Sequence, residues 1–407
     1  MNKLVGGLTA LAWVLIGCGG SGQGPTRSYR LASTGMQSVL NADPFNQLTP
    51  ANLSTDVDVV SIHQDFYGLP WDEFEAGQPP PAPWTAAMDD LVQQAGGKDV
   101  FLSLQLVSGA GRQFLAAKSA INPGRLTAPV EQWSVPCYNF ATASDGASKK
   151  AAYLRYVDWM VRKFNPRWVN VAIEINFFQS CGTAWAPLVD VSNAAYDTVK
   201  AAKSDAIAFP SIEIDALYGY DASTCQSGMS QPQCFDANYA GIAALKRDRF
   251  AISTYPYITP GIGTLDRLPD DWLTRGGDRG GERTLIAETG WNSDSIQVMQ
   301  NGNCTTVVPS SEVSQRDYLD RVLSVAQARN MELVTWWSNR DVLPAPVMAC
   351  NCTFDAGWCN LLSAARSQDA ELIIKLFGTM GIRNYGGTLK SLTGARWQAA
   401  QQLHLAR

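Results

Sequence analysis

Histidine is almost absent from this chain, which contains only His63 and His404 among its 407 residues. A metal site built from several histidines is therefore excluded, and a Ser-His-Asp triad would have to use His63 without any Gly-x-Ser-x-Gly motif. Basic clusters are also lacking, and the formal net charge is -5. This charge argues against nucleic acid as a partner. We expect a protein that works without metal or cofactor.

The N-terminal segment lacks an apolar run long enough to cross a membrane as a helix, since its run from Leu8 to Ile16 is too short. The run ends in Leu-Ile-Gly-Cys at 15–18, which resembles the lipobox of bacterial lipoprotein signal peptides. We therefore predict a signal peptide over 1–17 and a lipidated Cys18 at the start of a flexible tether over 18–27. The alternative is a buried N-terminal strand. Lipidation would place the protein in the bacterial cell envelope, at the outer membrane or cell surface, and its acyl chains alone would hold it there.

Eight cysteines remain when Cys18 is set aside. An even number in an exported chain indicates disulfides. The residues are Cys137, Cys181, Cys225, Cys234, Cys304, Cys350, Cys352 and Cys359. Metal binding is the rival interpretation because the last three lie close together, but no histidine is near them. Cys225 and Cys234 form the best local pair, and the sequence leaves the other connections open.

Short apolar runs alternate with helical patterns from about residue 28 to the end, which predicts one catalytic domain over 28–407. Eight runs qualify as strands: Tyr29 to Gly35, Val57 to His63, Val100 to Leu106, Trp168 to Glu174, Ala206 to Ile214, Phe250 to Tyr255, Thr284 to Glu288 and Leu333 to Trp337. Eight strands each followed by a helix predict an α/β fold, a (β/α)8 TIM barrel. An open doubly wound sheet is the alternative, weakened by the lack of a Gly-x-Gly-x-x-Gly motif after the first strand. The long loops hold most of the cysteines, so we expect disulfides to brace them.

Two of these strands end in an acid. Glu174 closes the fourth run, in RWVNVAIEINFF, and Glu288 closes the seventh, in RTLIAETGWNS. The ends of these strands can face each other across the mouth of a closed ring. Two facing carboxylates suit glycoside hydrolysis, in which one protonates the leaving oxygen and the other attacks the anomeric carbon. The alternative for such a residue is a helix cap or an ion pair with arginine.

Further strand ends carry the motifs DVVSIHQDFYGLPW, AISTYPY and LVTWWSNRDV, and GTMGIRNYGGTLK follows near the C terminus. The set resembles clan A retaining glycoside hydrolases, which are TIM barrels, and most nearly the arabinogalactan endo-β-1,4-galactanase-like family. The resemblance implies that Glu174 is the acid/base and Glu288 the nucleophile. It also implies that Tyr255 hydrogen-bonds the nucleophile and that Trp336 or Trp337 forms the floor of the sugar subsite.

Several other residues are candidates for sugar binding. His63 and Asp65 end the second strand, where they could hydrogen-bond a terminal sugar, and Trp291 closely follows Glu288. The clan usually has Asn directly before the acid/base, but this chain has Ile173 there. Asn176 falls on the same face by strand alternation and could substitute for it.

Two nearby pairs of charged residues have competing interpretations. Glu213 and Asp215 could line the cleft, or one of them could pair with an arginine. Arg340 and Asp341 look like an internal ion pair.

We therefore predict a monomeric, lipid-anchored retaining glycosidase that acts on a polysaccharide or oligosaccharide. The alternative is a non-catalytic, carbohydrate-binding surface lipoprotein on a degenerate barrel. The pair Glu174 and Glu288 favours the enzyme, and Ile173 favours the binding protein.

Overall fold

A computed structural model describes most of the chain after the N-terminal segment. The described residues are 25–35, 53–122, 125–131, 133–220, 225, 228–259, 264–300, 303–350, 372 and 375–406. The predicted signal peptide over 1–17 and Cys18 lie outside them, as does most of the tether, so these stay predictions. Among the described residues, no helix is long and apolar enough to cross a membrane.

The central sheet contains nine parallel strands. They are β1 (Arg30–Thr34), β2 (Val59–His63), β3 (Asp99–Ser103), β4 (Trp168–Asn170), β5 (Ile207–Phe209), β6 (Ser211–Glu213), β7 (Phe250–Thr254), β8 (Thr284–Thr289) and β9 (Leu333–Trp336). Their order is β5-β4-β3-β2-β1-β9-β8-β7-β6. The two edge strands, β5 and β6, are separated in the chain by Pro210 alone. The sheet therefore curls into a nearly closed ring, which confirms the (β/α)8 barrel and rules out an open doubly wound sheet.

Pro210 explains why one predicted strand became two. The sequence predicts a single strand over Ala206 to Ile214, but proline has no N–H to donate to a ladder. The residues before it pair with β4, and those after it pair with β7. The strand that closes the ring is thus divided between its two neighbours.

Helices surround the ring. They are α1 (Leu53–Asp56), α2 (Trp71–Glu75), α3 (Ala82–Ala95), α4 (Gly146–Phe164), α5 (Trp185–Ala202), α6 (Ile214–Leu217), α7 (Gln231–Gly241), α8 (Arg275–Gly280), α9 (Glu312–Ala328) and α10 (Thr393–Gln401). Long helices carry one apolar face: Tyr153, Tyr156 and Met160 of α4, for example, are fully buried. Such a face packs a helix onto the outside of the barrel.

The core has an inner and an outer part because successive strand residues face opposite sides. The inner cluster takes residues from eight of the nine strands: Ala32, Val59, Phe101, Trp168, Phe209, Ala251, Leu285, Ala287 and Leu333. Alternate strand residues such as Leu31 and Val60 belong to the outer cluster, together with the buried faces of the helices. The ring is therefore filled with side chains and is not a pore.

Among the described residues there are three disulfides, Cys137–Cys181, Cys225–Cys234 and Cys304–Cys350. The predicted local pair Cys225–Cys234 is confirmed, and so is the prediction of disulfide-braced loops. Because Cys350 bonds Cys304, it is not available for the rival metal site. Cys352 and Cys359 lie outside the described residues.

The predicted ion pair between Arg340 and Asp341 is wrong. Asp341 pairs with Lys390, with Nζ 2.8 Å from Oδ1. Arg340 instead donates to the Tyr385 carbonyl oxygen, with Nε 2.7 Å away. Adjacent residues at a strand end point in different directions, so proximity in sequence does not pair their side chains.

Candidate active site

Glu288 lies near the C-terminal end of β8, at the mouth of the barrel. Its side chain is almost wholly buried, at 9% exposure. His63, the last residue of β2, donates from Nε2 to Oε2 at 2.9 Å. The Tyr255 hydroxyl, just beyond β7, donates to the other oxygen, Oε1. Residues from three strand ends thus meet at this carboxylate, and its two donors fix its orientation.

The charge on His63 depends on its contact with Glu288. Burial lowers the pKa of His63, but the Glu288 charge and hydrogen bond, together with the Asp65 charge, raise it more, so the net shift is upward. Asp65 contributes in the same direction, with Oδ2 3.9 Å from Nδ1. The protonated imidazole is therefore favoured beside the Glu288 carboxylate.

Glu174 follows β4 by four residues and adopts a left-handed backbone, with φ 49° and ψ 41°. Its N–H donates to Ser211 Oγ at 2.9 Å, which ties it to β6. Its carboxylate accepts from Ser253 Oγ at 2.7 Å and from Arg112 Nε at 3.0 Å. Left-handed backbone costs a non-glycine residue free energy and persists only where surrounding contacts impose it. The side chain is therefore held in place by neighbours from several elements.

The pKa of Glu174 is raised, above all by burial. Arg112 lowers that pKa, and the Glu288 charge raises it. The two carboxyl groups thus act on each other electrostatically but have different partners. Glu288 is held by a tyrosine and a histidine, while Glu174 is held by a serine and an arginine. Groups with such different surroundings can carry a proton at different pH values, as an acid and a nucleophile must.

Asp65 completes the cluster through Arg112, which the sequence did not single out. Arg112 Nη1 and Nη2 donate to the two Asp65 oxygens at 2.8 and 2.7 Å. Burial raises the pKa of Asp65, but Arg112, His63 and Gln105 together lower it more, so the net shift is downward. Arg112 lies in a long loop with no periodic pattern, so only the glycines beside it, in SGAGRQF, signalled an unusual turn.

Glu213 and Asp215 form a second buried acid pair next to this cluster. Burial is the main cause of the raised pKa of each, and the charge of Glu174 adds to the rise at Glu213. Glu213 accepts from the Ala216 N–H at 2.6 Å, and Asp215 accepts from Thr254 Oγ1 at 2.6 Å. Within the part of the chain that the structure describes, neither pairs with an arginine, so that alternative is wrong.

Of the three candidate tryptophans, Trp337 packs against the two residues that bind Glu288. Its ring meets those of His63 and Tyr255 edge-on, with centroids 5.8 and 6.5 Å apart. Trp336 donates to the Met380 carbonyl oxygen at 2.8 Å, and Trp291 donates to Ser310 Oγ at 2.9 Å. Both are fully buried core residues. Of the three, Trp337 is therefore the one whose ring contacts the two residues that bind Glu288.

Asn176 lies beyond the end of β4, in a helical segment and not in the extended strand that the sequence predicted. Its amide is engaged by the backbone of Glu213. Nδ2 donates to the carbonyl oxygen at 2.9 Å, and Oδ1 accepts from the N–H at 2.8 Å. Ile173 is fully buried. The amide that was expected to replace the missing Asn thus joins the Glu174 segment to β6.

No protein-family model and no curated protein matches the sequence. Several solved structures match the chain. GH5_18 from Bifidobacterium longum subsp. longum ATCC 55813, in complex with Manβ1-4GlcNAc, is 14% identical, with a TM-score of 0.51 over 87% of this chain and 73% of its own. The exo-β-1,4-mannosidase Op5Man5 from Opitutaceae bacterium strain TAV5 is 14% identical, with a TM-score of 0.55 over 92% of this chain and 60% of its own. A fungal β-1,4-galactanase is 13% identical, with a TM-score of 0.51 over 91% of this chain and 99% of its own.

This chain has the TIM-barrel fold of clan A glycoside hydrolases. The resemblance predicted from the strand ends is thus confirmed at the level of the fold. Identities of 13 to 14% carry no residue's role from one barrel to another, so the function must be argued from the side chains at the mouth.

Proposed function

We propose that this protein is a retaining glycoside hydrolase that cleaves a polysaccharide or oligosaccharide, with Glu288 as nucleophile and Glu174 as acid/base. One observation carries the proposal. Two buried carboxyl groups share one electrostatic network at the mouth of the barrel and have different partners. Glu174 follows the fourth strand, and Glu288 lies at the end of β8, which corresponds to the seventh predicted run. Both positions agree with the clan resemblance.

In the first step, a Glu288 oxygen attacks the anomeric carbon while the bond from that carbon to the leaving oxygen breaks. Glu174 gives its proton to the leaving oxygen. The buried surroundings of Glu174 favour the protonated acid that this step requires. Tyr255 and His63 orient the attacking carboxylate.

In the second step, the Glu174 carboxylate takes a proton from water, and the water oxygen attacks the anomeric carbon. The bond from that carbon to Glu288 breaks, which releases the sugar with its original configuration. Arg112 and Ser253 are placed to hold Glu174 in its charged form.

Trp337 is proposed as the floor of the sugar subsite because it lies beside His63 and Tyr255. An indole face can pack on the C–H face of a sugar ring. The matched structures include an exo-β-1,4-mannosidase and a β-1,4-galactanase. β-1,4-Mannosides and β-1,4-galactans are therefore the first substrates to test.

Ile173 favours a second candidate, a carbohydrate-binding protein without catalysis. It occupies the place of the clan's sugar-contacting Asn with a buried apolar side chain. Asn176 has its amide engaged by the Glu213 backbone. Glycan binding without turnover in the wild-type protein would decide for this candidate.

The test replaces each acid separately. Glu288→Gln keeps the shape of the side chain and should abolish turnover, because no covalent glycosyl intermediate can form. In Glu288→Ala, added azide should restore turnover and give a glycosyl azide of inverted configuration. Glu174→Ala should lose about 10²- to 10⁴-fold on substrates with poor leaving groups and much less on dinitrophenyl glycosides. Proton NMR of the first product identifies the anomer.

Glu282→Gln is the matched control. Glu282 is a half-buried glutamate bound to Arg247, with both contacts at 2.7 Å. This variant should keep wild-type turnover. Full activity in Glu288→Gln, or an initial product of inverted configuration from the wild-type protein, would contradict the proposal.

Attachment to the cell envelope through a lipid on Cys18 and a monomeric state remain proposals.

A further inference from the structure

Arg112 is bound on two sides by carboxylates at the barrel mouth. Its Nη atoms form a fork with Asp65, and its Nε–H reaches Glu174. The Arg112 side chain is only 13% exposed. A planar guanidinium placed in this way fixes the direction of both carboxylates as well as their charge.

The backbone that carries Arg112 is unusual. Gly109 and Gly111 have φ 77° and 65°, and Arg112 itself has φ 50°. Glu174, at the other end of the ion pair, has φ 49°. A left-handed non-glycine residue is strained and is found mainly where the surrounding structure requires it. Both partners of this ion pair are therefore held in unfavourable backbone conformations.

Covalent and hydrogen bonds fasten the Arg112 turn to the segment that follows Glu174. The Cys137 N–H donates to the Gln113 carbonyl oxygen at 2.7 Å. Cys137 is disulfide-bonded to Cys181, which lies in the helical segment Ile175–Ala184 directly after Glu174. Gln113 Nε2 also donates to Ser180 Oγ at 3.4 Å. The turn and the acid thus belong to one braced unit.

Several groups act on the Glu174 carboxyl, and most of them are acids. The titratable and charged groups that face it come from several elements: Arg112, Asp65, Glu288, Glu213 and Tyr255. The acidic neighbours favour a proton on Glu174, as does burial, whereas Arg112 favours the carboxylate. Without this cation, an acid already crowded by acids would keep its proton to a higher pH.

We propose that Arg112 is a positioning residue that holds Glu174 in place and sets the upper pH limit at which this acid still carries a proton. The consequence for turnover rests on the proposed function, in which Glu174 must be protonated for the first step. The effect on Glu174 itself does not. It can be measured in a protein that hydrolyses nothing.

The experiment is a carbon-13 NMR titration of the full chain labelled at the glutamate carboxyl carbons, with the Glu174 signal assigned by its loss in Glu174→Gln. In Arg112→Gln the titration midpoint of Glu174 should rise by about one to three pH units. In Arg112→Lys, which keeps the charge without the fork, it should rise less. Arg247→Gln breaks an equally bidentate pair, with Glu282, and should leave the Glu174 midpoint unchanged.

Turnover gives the second readout. The alkaline limb of kcat/KM on a substrate with a poor leaving group should move upward in Arg112→Gln and less in Arg112→Lys. An unchanged Glu174 midpoint in folded Arg112→Gln would overturn the inference. If Arg112→Gln fails to fold, a Glu174 midpoint in Arg112→Lys equal to that of the wild type would overturn it. Absence of turnover in the wild type would refute only the proposed function, since the titration stands without it.

Discussion

His63 is the residue whose charge should be visible in the stability of the whole protein. Its folded pKa lies above its ordinary value because Glu288 and Asp65 together outweigh the effect of burial. For a raised histidine, the stabilisation is fully present below the unfolded pKa of about 6.5. It is lost as the pH rises through the higher folded pKa.

His63→Gln keeps a neutral N–H donor and removes the charge. We expect this variant to be less stable than the wild type at pH 6 by about 1–3 kcal/mol, and the gap to narrow as the pH rises through the folded pKa of His63. Urea unfolding at several pH values measures it. His404→Gln, at an exposed position, should show no such gap. A His63→Gln deficit that is the same at every pH would mean that the imidazole is neutral beside Glu288.

Among single residues, the sequence predicted the positions of Glu174 and Glu288 better than those of the residues that bind them. Glu174 and Glu288 could be found because each follows an apolar run, and strand ends meet at one mouth. Arg112 could not, because nothing in a long loop fixes where a side chain points. The interpretation of Asn176 assumed an extended strand as far as that residue, but β4 ends at Asn170. The alternation rule therefore did not apply to it.

Among the structural elements, the Cys137–Cys181 disulfide joins two that lie beside the acids. Cys181 belongs to the segment Ile175–Ala184, and Cys137 hydrogen-bonds Gln113, which directly follows the turn over Ala110–Arg112. The two cysteines are 44 residues apart, so the cross-link should stabilise the fold by about 4 kcal/mol in a chain-entropy model. It also supports the Arg112 contact with Glu174. Removing it should reduce activity as well as stability.

The test compares two double variants. Cys137→Ala with Cys181→Ala should lower both the free energy of unfolding and kcat/KM. Cys225→Ala with Cys234→Ala, which opens a link of 9 residues, should lower stability less and leave kcat/KM near that of the wild type. Equal losses of activity in both would show that the first disulfide has no particular effect on the acids.

The predicted strands agree with the structure in their positions but not in their ends. All eight predicted runs correspond to barrel strands because buried parallel strands form continuous apolar stretches. Their ends were placed less well, since apolar residues continue past the ladder, as in Val171 to Ile173. Pro210 could have been recognised as an interruption, because its missing N–H is visible in the sequence.

At the scale of the whole ring, side-chain hydrogen bonds supplement the backbone bonds where Pro210 interrupts the ladder. Asn170 accepts from the Ser211 N–H at 2.8 Å, and Asn176 bonds both backbone groups of Glu213. Together with the backbone bond from the Ser211 N–H to the Ala172 carbonyl oxygen at 3.1 Å, these amides join the residues that follow β4 to β6. Since the acid Glu174 lies between Asn170 and Asn176, closure of the ring and placement of the acid are coupled.

Asn176→Ala should therefore open the ring locally. It leaves two buried backbone groups of Glu213 without partners, which should cost about 2–4 kcal/mol. Hydrogen exchange should accelerate over 207–213 and remain slow in β2. Asn193→Ala is the control, since Asn193 makes the same two kinds of bond, to Ala244 and Lys246, at an exposed site. Unchanged exchange over 207–213 would contradict this account.

The two ends of the described chain meet beneath the ring. Thr26–Arg27 pairs in parallel with His404–Leu405. Arg27 Nη1 and Nη2 donate to the two carboxylate oxygens of Asp58, just before β2 begins, at 2.6 and 2.8 Å. The strands start at this end of the barrel and finish near Glu174 and Glu288. Residue 25 therefore lies at the end of the barrel opposite the two acids. A tether attached at residue 25 would therefore start on the side opposite the mouth and would leave the mouth open to a long polymer.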